Sequence, residues 1–168
     1  MAIKMTYQVD KGFSFADKVI LWGADRQLTR KLLNGDFNAG DNVIDLSQYN
    51  NGDTSKNIIQ RRDIYENYQE QDNYFFLNFN SNGKLTELEL HHGFTINIEG
   101  IEIDFSMNIE KVVELLSSIS DNKKQLSDGE YFFKKLKLTI ASNEAIGGDG
   151  PGFAYFYCSK DVTHLIDN

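Results

Sequence analysis

The stretch "TELELHHG", Thr86 to Gly93, places Glu87, Glu89 and His91 at every second position. On a strand those three share one face, and two carboxylates with an imidazole are ligand types for a divalent metal. A metal-assisted hydrolase is the chemistry such a trio would run. The same alternation also fits a solvated outer face, with Leu88 and Leu90 turned to a core. No second cluster of His or Cys stands nearby in sequence, so the expectation is no bound metal and no cofactor. His92 has the inward parity and reads as a hydrogen-bonded histidine at a strand end.

Cys158 is the only cysteine. A nucleophilic thiol needs a neighbouring base and an electropositive setting, and His164 is the nearest base in sequence. Cys158 ends the aromatic run "GFAYFYC", however, where a buried structural cysteine is expected. A single cysteine excludes an internal disulfide and points to a reducing compartment.

The stretch "EAIGGDGPGFAYFYC", Glu144 to Cys158, resembles a phosphate cradle in its glycines alone. Such a cradle feeds a helix whose amides face the anion, with a Lys and a Ser or Thr following. Here a strand-like aromatic run follows, so the glycines read as a wide connection with positive φ angles. The connection carries two acids, Glu144 and Asp149, and no base. With Gly150 beside Asp149, it is expected to contact a partner, and the paired strand acids Glu102 and Asp104 join that candidate set. No Gly-x-Ser-x-Gly, His-Glu-x-x-His or Walker pattern occurs. No enzyme is expected.

The elements that must position these residues are legible as a repeat. Offset by 83 positions, "FSFADKVILWGADRQLTRKLL" (Phe13 to Leu33) lies on "INIEGIEIDFSMNIEKVVELL" (Ile96 to Leu116). Phe13 meets Ile96, Phe15 meets Ile98, Ile20 meets Ile103 and Trp22 meets Phe105. The turn Ala16-Asp17 falls on Glu99-Gly100, and the capping types Asp25 and Asn108 coincide. Each copy reads as a hairpin running into an amphipathic helix. Ile109, Val112, Val113 and Leu116 form the apolar face of the second helix, and Leu28 and Leu32 form a thinner one on the first.

After each helix comes a Tyr-Phe-Phe segment, Asp72 to His92 and Gly129 to Ser159, read as two strands around a turn. "NSNGK" is the hairpin signal of the first. Between the first helix and its Tyr-Phe-Phe segment, Asn34 to Gln71 is polar, and its "KNIIQRRDIYENYQEQ" reads as a short surface helix, with Asp63, Glu66 and Glu70 offsetting Arg61 and Arg62. Lys134, Lys135 and Lys137 are placed on the strand from Tyr131, blunting an edge. The C-terminal "SKDVTHLIDN" is a last helical turn or an extended tail. The expectation is one α+β domain over residues 1–168, mainly antiparallel β-sheet. It has nine or so strands and two to four helices, built from two related hairpin-helix-hairpin halves, 12–92 and 93–159.

The chain has 168 residues, with 17 Lys and Arg against 25 Asp and Glu, a net charge of −8. That surface repels phosphate backbones and favours a cationic partner, so no nucleic acid is expected. "MAIKMTYQVDKGFSF" has no continuous apolar core and no apolar run reaches a membrane-spanning length. A cytoplasmic protein without membrane contact is expected.

The paired "hairpin, aromatic, small residue, helix, Leu-Leu" units and the "DGEYFFKKLKLTI" strand after the second helix, in this small acidic chain, resemble the immunity proteins of bacterial contact-dependent growth inhibition systems. The likeness covers most of Gly12 to Ser159. It implies a non-enzymatic binding protein that neutralises one cognate toxin, often a nuclease, by direct contact. The alternatives are a small-ligand module in the cleft between the halves and the metal-assisted hydrolase described above.

Overall fold

The computed structural model describes residues 2–15 and 17–166. They form two sheets around one hydrophobic core, an α+β protein that is mostly antiparallel. The five-stranded sheet has the order β10-β9-β1-β2-β3 and contains β1 (Ile3–Gln8), β2 (Gly12–Phe15), β3 (Lys18–Leu21), β9 (Phe94–Ile98) and β10 (Ile101–Asp104). Its one parallel contact joins β1 to β9, in the register Met5 to Ile96.

The larger sheet has the order β11-β12-β13-β14-β8-β7-β6-β4, with β5 also paired to β6. Its strands are β4 (Asn38–Ala39), β5 (Asn42–Ile44), β6 (Ile58–Glu66), β7 (Tyr74–Phe79), β8 (Leu85–His92), β11 (Lys123–Ser127), β12 (Glu130–Phe133), β13 (Leu138–Ser142) and β14 (Phe153–Ser159). Three α-helices complete the described residues: α1 (Arg26–Leu33), α2 (Ile109–Ser117) and α3 (Thr163–Ile166).

The two sheets meet through alternate apolar side chains. Phe15 packs on Phe75 at 5.5 Å and Tyr7 on Phe156 at 6.1 Å, so each sheet supplies one wall of the core. Met5, Phe13, Ile20, Ile96, Ile98 and Ile103 are buried from one side, and Leu77, Leu88, Leu90, Leu138, Ile140 and Cys158 from the other. Each such side chain contributes about 1.5–3 kcal/mol on burial. The Tyr7 phenol is held within the core by donating to Leu136 O at 2.7 Å.

The 83-residue offset recurs in the order and bounds of the hairpin-helix units. β2, β3 and α1 correspond in position to residues 95–98 of β9, to β10 and to 109–116 of α2. Asp25 caps α1 by accepting from the Gln27 and Leu28 amides, and Asn108 caps α2 by accepting from Lys111. The turn residues Glu99 and Gly100 both take positive φ. Ala16 of the corresponding turn lies outside the described residues, although Phe15 and Lys18 on either side are paired.

Beyond the helices the two segments differ. After α1 the chain inserts β4, β5 and β6 before the β7–β8 hairpin. After α2 it forms three strands from the Tyr131-Phe132-Phe133 segment onward, not two. Fourteen strands among the described residues replace the nine expected. "KNIIQRRDIYENYQEQ" is not a helix: its centre is β6, because Asp63 and Tyr65 alternate into the interior. Lys134, Lys135 and Lys137 sit in the turn between β12 and β13, and the edge strand on that side of the sheet is β11. The apolar face assigned to α1 is also rotated. Thr29 and Leu33 are its buried residues, while Leu28 and Leu32 face solvent at 66% and 44% exposure. On α2, Ile109, Val112 and Leu116 are buried as the spacing predicts.

Candidate functional site

The glycine loop and the acidic edge strand come together at one end of the molecule. Glu144 to Ile146 make a single 3-10 turn, and Gly147 and Gly150 take φ of 93° and 89°. These are left-handed values that only glycine adopts without strain. The loop is closed by Asn143 N donating to Gly152 O at 2.8 Å and Gly148 N donating to Asn143 O at 2.8 Å.

The end of this loop is fastened to the start of α2. Ile109 N donates to Pro151 O at 2.8 Å, Phe153 N donates to Met107 O at 2.9 Å, and Asn108 bridges Gly152. Phe105, just past β10, stacks on Phe153 with ring centroids 4.5 Å apart. The structure thereby places Glu144, Asp149 and Gly150 in the loop fastened beside the end of the strand that carries Glu102 and Asp104. β10 pairs only with β9 and is an edge. Glu102, Glu144 and Asp149 are exposed, and Asp104 is half-buried with its carboxylate accepting from Ser106 N at 2.8 Å.

Glu87, Glu89 and His91 share the outer face of β8, as their spacing predicts. Their lone pairs are largely committed. Glu87 accepts from the Tyr157 hydroxyl and from Asn78 Nδ2 at 3.2 Å. Glu89 accepts from the Tyr155 hydroxyl at 2.6 Å, from Asn78 Nδ2 at 2.7 Å and from Arg62 Nη2 at 2.8 Å. Asn78 therefore spans both carboxylates, and it accepts from Arg62 Nε at 2.8 Å in turn. Burial, and then the neighbouring carboxylates, push the Tyr155 and Tyr157 phenols well above their ordinary range. His91 lies among the rings of Phe76, Tyr74 and Tyr155 at 4.7–5.5 Å, and burial lowers its pKa. Among the described residues no group of three or more His, Cys, Asp or Glu is arranged to hold a metal.

Cys158 and His164 are not brought together. The thiol is fully buried and burial pushes its pKa well up, whereas His164 packs on the Tyr157 ring 6.3 Å away, and Tyr157 and Cys158 alternate to opposite faces of β14. His92 is exposed, with Nε2 2.9 Å from Asp72 Oδ1. A recess of about 380 Å³ is lined by Trp22, Lys84, Lys137, Lys160 and Asp161. Lys137 is already engaged there by Asp10 and by Lys160 O.

Sequence reasoning missed a buried ion cluster. Asp63 is fully buried and accepts from Arg26 Nε and Nη2 at 3.0 and 2.7 Å, and from Arg30 Nε and Nη2 at 2.7 Å each. Asp41 adds two bonds to Arg26, and that guanidinium holds its pKa below the usual carboxylate range. Asp63 thus serves α1, not its neighbours Arg61 and Arg62, and Arg62 pairs with Glu89. The available signal was Arg26 and Arg30 at i and i+4 on a helix, a spacing that lets both reach one acceptor.

No helix among the described residues is long and apolar enough to cross a membrane. Comparison with models of known protein families, with curated proteins and with solved structures finds no match to this chain.

Proposed function

We propose that the chain is a binding protein that captures a basic protein partner at its acidic end, in the manner of an immunity protein neutralising a toxin. The supporting observation is the fastening of the glycine loop beside the open edge of β10. It gathers carboxylates from two segments that hold no Lys or Arg, residues 85–110 and 138–159. Glu102, Glu110, Glu144 and Asp149 are all exposed there. Such a patch raises the encounter rate with a cationic surface. The edge of β10 adds unpaired backbone groups to which a partner segment can bond. A nuclease toxin, basic where it meets phosphate, fits both features.

Catalysis has less support, because Glu87 and Glu89 spend their acceptors on Tyr157, Tyr155, Asn78 and Arg62. The test is co-expression with the protein encoded immediately upstream of this chain's gene. Rescue of growth and a co-purifying complex are expected, and both should be lost when Glu102, Asp104, Glu144 and Asp149 are changed together to their amides. A complex indifferent to those changes would remove the acidic end from the account.

A further inference from the structure

The outer face of the larger sheet carries a small recess of different chemistry. On this face two short side chains of β13 lie between larger neighbours. Thr139 sits between Phe132 and Tyr157, and Ala141 sits between Glu130 and Tyr155. The gap they leave has a volume of about 170 Å³ and is lined by Glu130, Thr139, Tyr155, Tyr157, His164 and Leu165. The alternate residues of β13 and β14, Leu138, Ile140, Phe156 and Cys158, belong to the core, so the recess opens away from it.

We propose that this recess binds an alkylammonium ion, with the charged head against the tyrosine rings and its N–H groups donated to Glu130 and Thr139. Charge selects the ligand. The four strands around the recess, β8, β12, β13 and β14, hold Glu87, Glu89 and Glu130 and no Lys or Arg. Arg62 reaches in from β6 and pairs with Glu89. Glu87 accepts from Tyr157 and Asn78, and Glu130 accepts from Ser127 Oγ at 3.1 Å, so neither has an ion pair among the described residues. An anion would meet uncompensated carboxylates, and an ammonium ion neutralises one.

The walls and floor suit the same ion. Tyr157 and His164 meet with ring centroids 6.3 Å apart and planes at 89°, forming a corner, and Tyr155 adds a third ring. The face of a tyrosine ring attracts a cation. Both phenols donate to carboxylates, Tyr155 to Glu89 and Tyr157 to Glu87, which polarises the rings toward greater negative charge. Thr139 is 4% exposed, and its hydroxyl has no partner among the described residues. Leaving such a group unpaired is costly, and an ammonium N–H fills it where a quaternary ammonium cannot. The volume holds about five or six water-sized groups, which is the size of butylammonium. The same head group ends a lysine side chain, so a free amine and a lysine of another protein are the two sources. The site belongs to the isolated chain and stands whether or not the acidic end captures a toxin.

The test is an NMR titration of the full chain at constant ionic strength. Butylammonium chloride is expected to shift the Thr139, Ala141 and Tyr155 amides saturably, with a millimolar or lower Kd. Butanol and sodium butyrate, of the same chain length, should bind at least about tenfold more weakly. Glu130→Gln should weaken butylammonium binding at least about tenfold, and Thr139→Val at least about threefold. Neither variant should lower the melting temperature, since Glu130 is only partly buried and valine keeps the shape of threonine. Nα-acetyl-lysine methylamide is the second probe. An affinity within about tenfold of butylammonium supports the site and assigns it to a lysine side chain, and a weaker one supports it and assigns it to a free amine. Butanol binding as tightly as butylammonium, no saturable shift by about 50 mM, or binding unchanged in both variants would overturn the proposal.

Discussion

Phe105 and Phe153 stack with their ring planes 4° apart and their centroids 4.5 Å apart. This pair joins the end of an edge strand to the strand that leaves the glycine loop. The acidic residues of β10 and of Glu144–Gly152 share one end of the protein because this stack and the Phe153 N to Met107 O bond hold them there.

Phe153 is 3% exposed, so truncating it removes both core packing and the stack. Phe153→Ala is expected to lower stability by about 3–5 kcal/mol in urea denaturation. It should also speed amide exchange at Ile109 and Gly148. A loss below about 1 kcal/mol would mean that the loop is not anchored through this ring.

Asp63 neutralises two guanidinium groups while fully buried. Asp63→Asn strands them, and a cost of about 3–5 kcal/mol is expected by chemical denaturation. Adding Arg30→Met to that variant should recover part of the loss. If the single and double variants unfold at the same midpoint, the cluster is not coupled as described.

Local pattern accounts for what the sequence made visible. Ile96, Ile98 and Ile103 alternate within a short hairpin, and Ile109, Val112 and Leu116 repeat at helical spacing, so their burial is encoded within a few residues. The buried face of α1 is displaced by one position from its leucine pair, because Leu28 and Leu32 look like a core face while the interior takes Thr29 and Leu33. Thr29 hides its hydroxyl by donating to Asp25 O at 2.8 Å, which makes a polar residue acceptable there. The polar network on β8 was invisible for a different reason. Its bonds from Tyr155 and Tyr157 depend on the register of β14 against β8, strands about 70 residues apart. The fastening of the glycine loop to α2 is a long-range contact of the same kind.

His91 makes stability sensitive to mild acid. Burial holds its pKa below the ordinary value of about 6.5, so below that pH the unfolded chain takes up a proton that the folded chain resists. The contribution is complete above about pH 6.5 and is lost as pH falls toward the folded value. Urea midpoints should therefore decline between about pH 7.5 and 5.5, and His91→Phe should flatten that decline. An identical decline in the variant would exclude His91 as its source.

Zinc is expected to leave the melting temperature within about 1 °C of the metal-free value, because the Glu87 and Glu89 carboxylates already accept from tyrosine hydroxyls and from Asn78. A larger stabilisation that Glu89→Gln removes would restore the metal reading of that strand.

If the acidic end captures a basic partner as proposed, the association rate constant must depend on salt. With the protein encoded immediately upstream as partner, stopped-flow association should slow at least about tenfold between low and physiological ionic strength, with dissociation changing far less. The variant carrying Glu102→Gln, Asp104→Asn, Glu144→Gln and Asp149→Asn should associate slowly at both. An association rate that is the same at both ionic strengths, or the same in wild type and variant, would contradict the account.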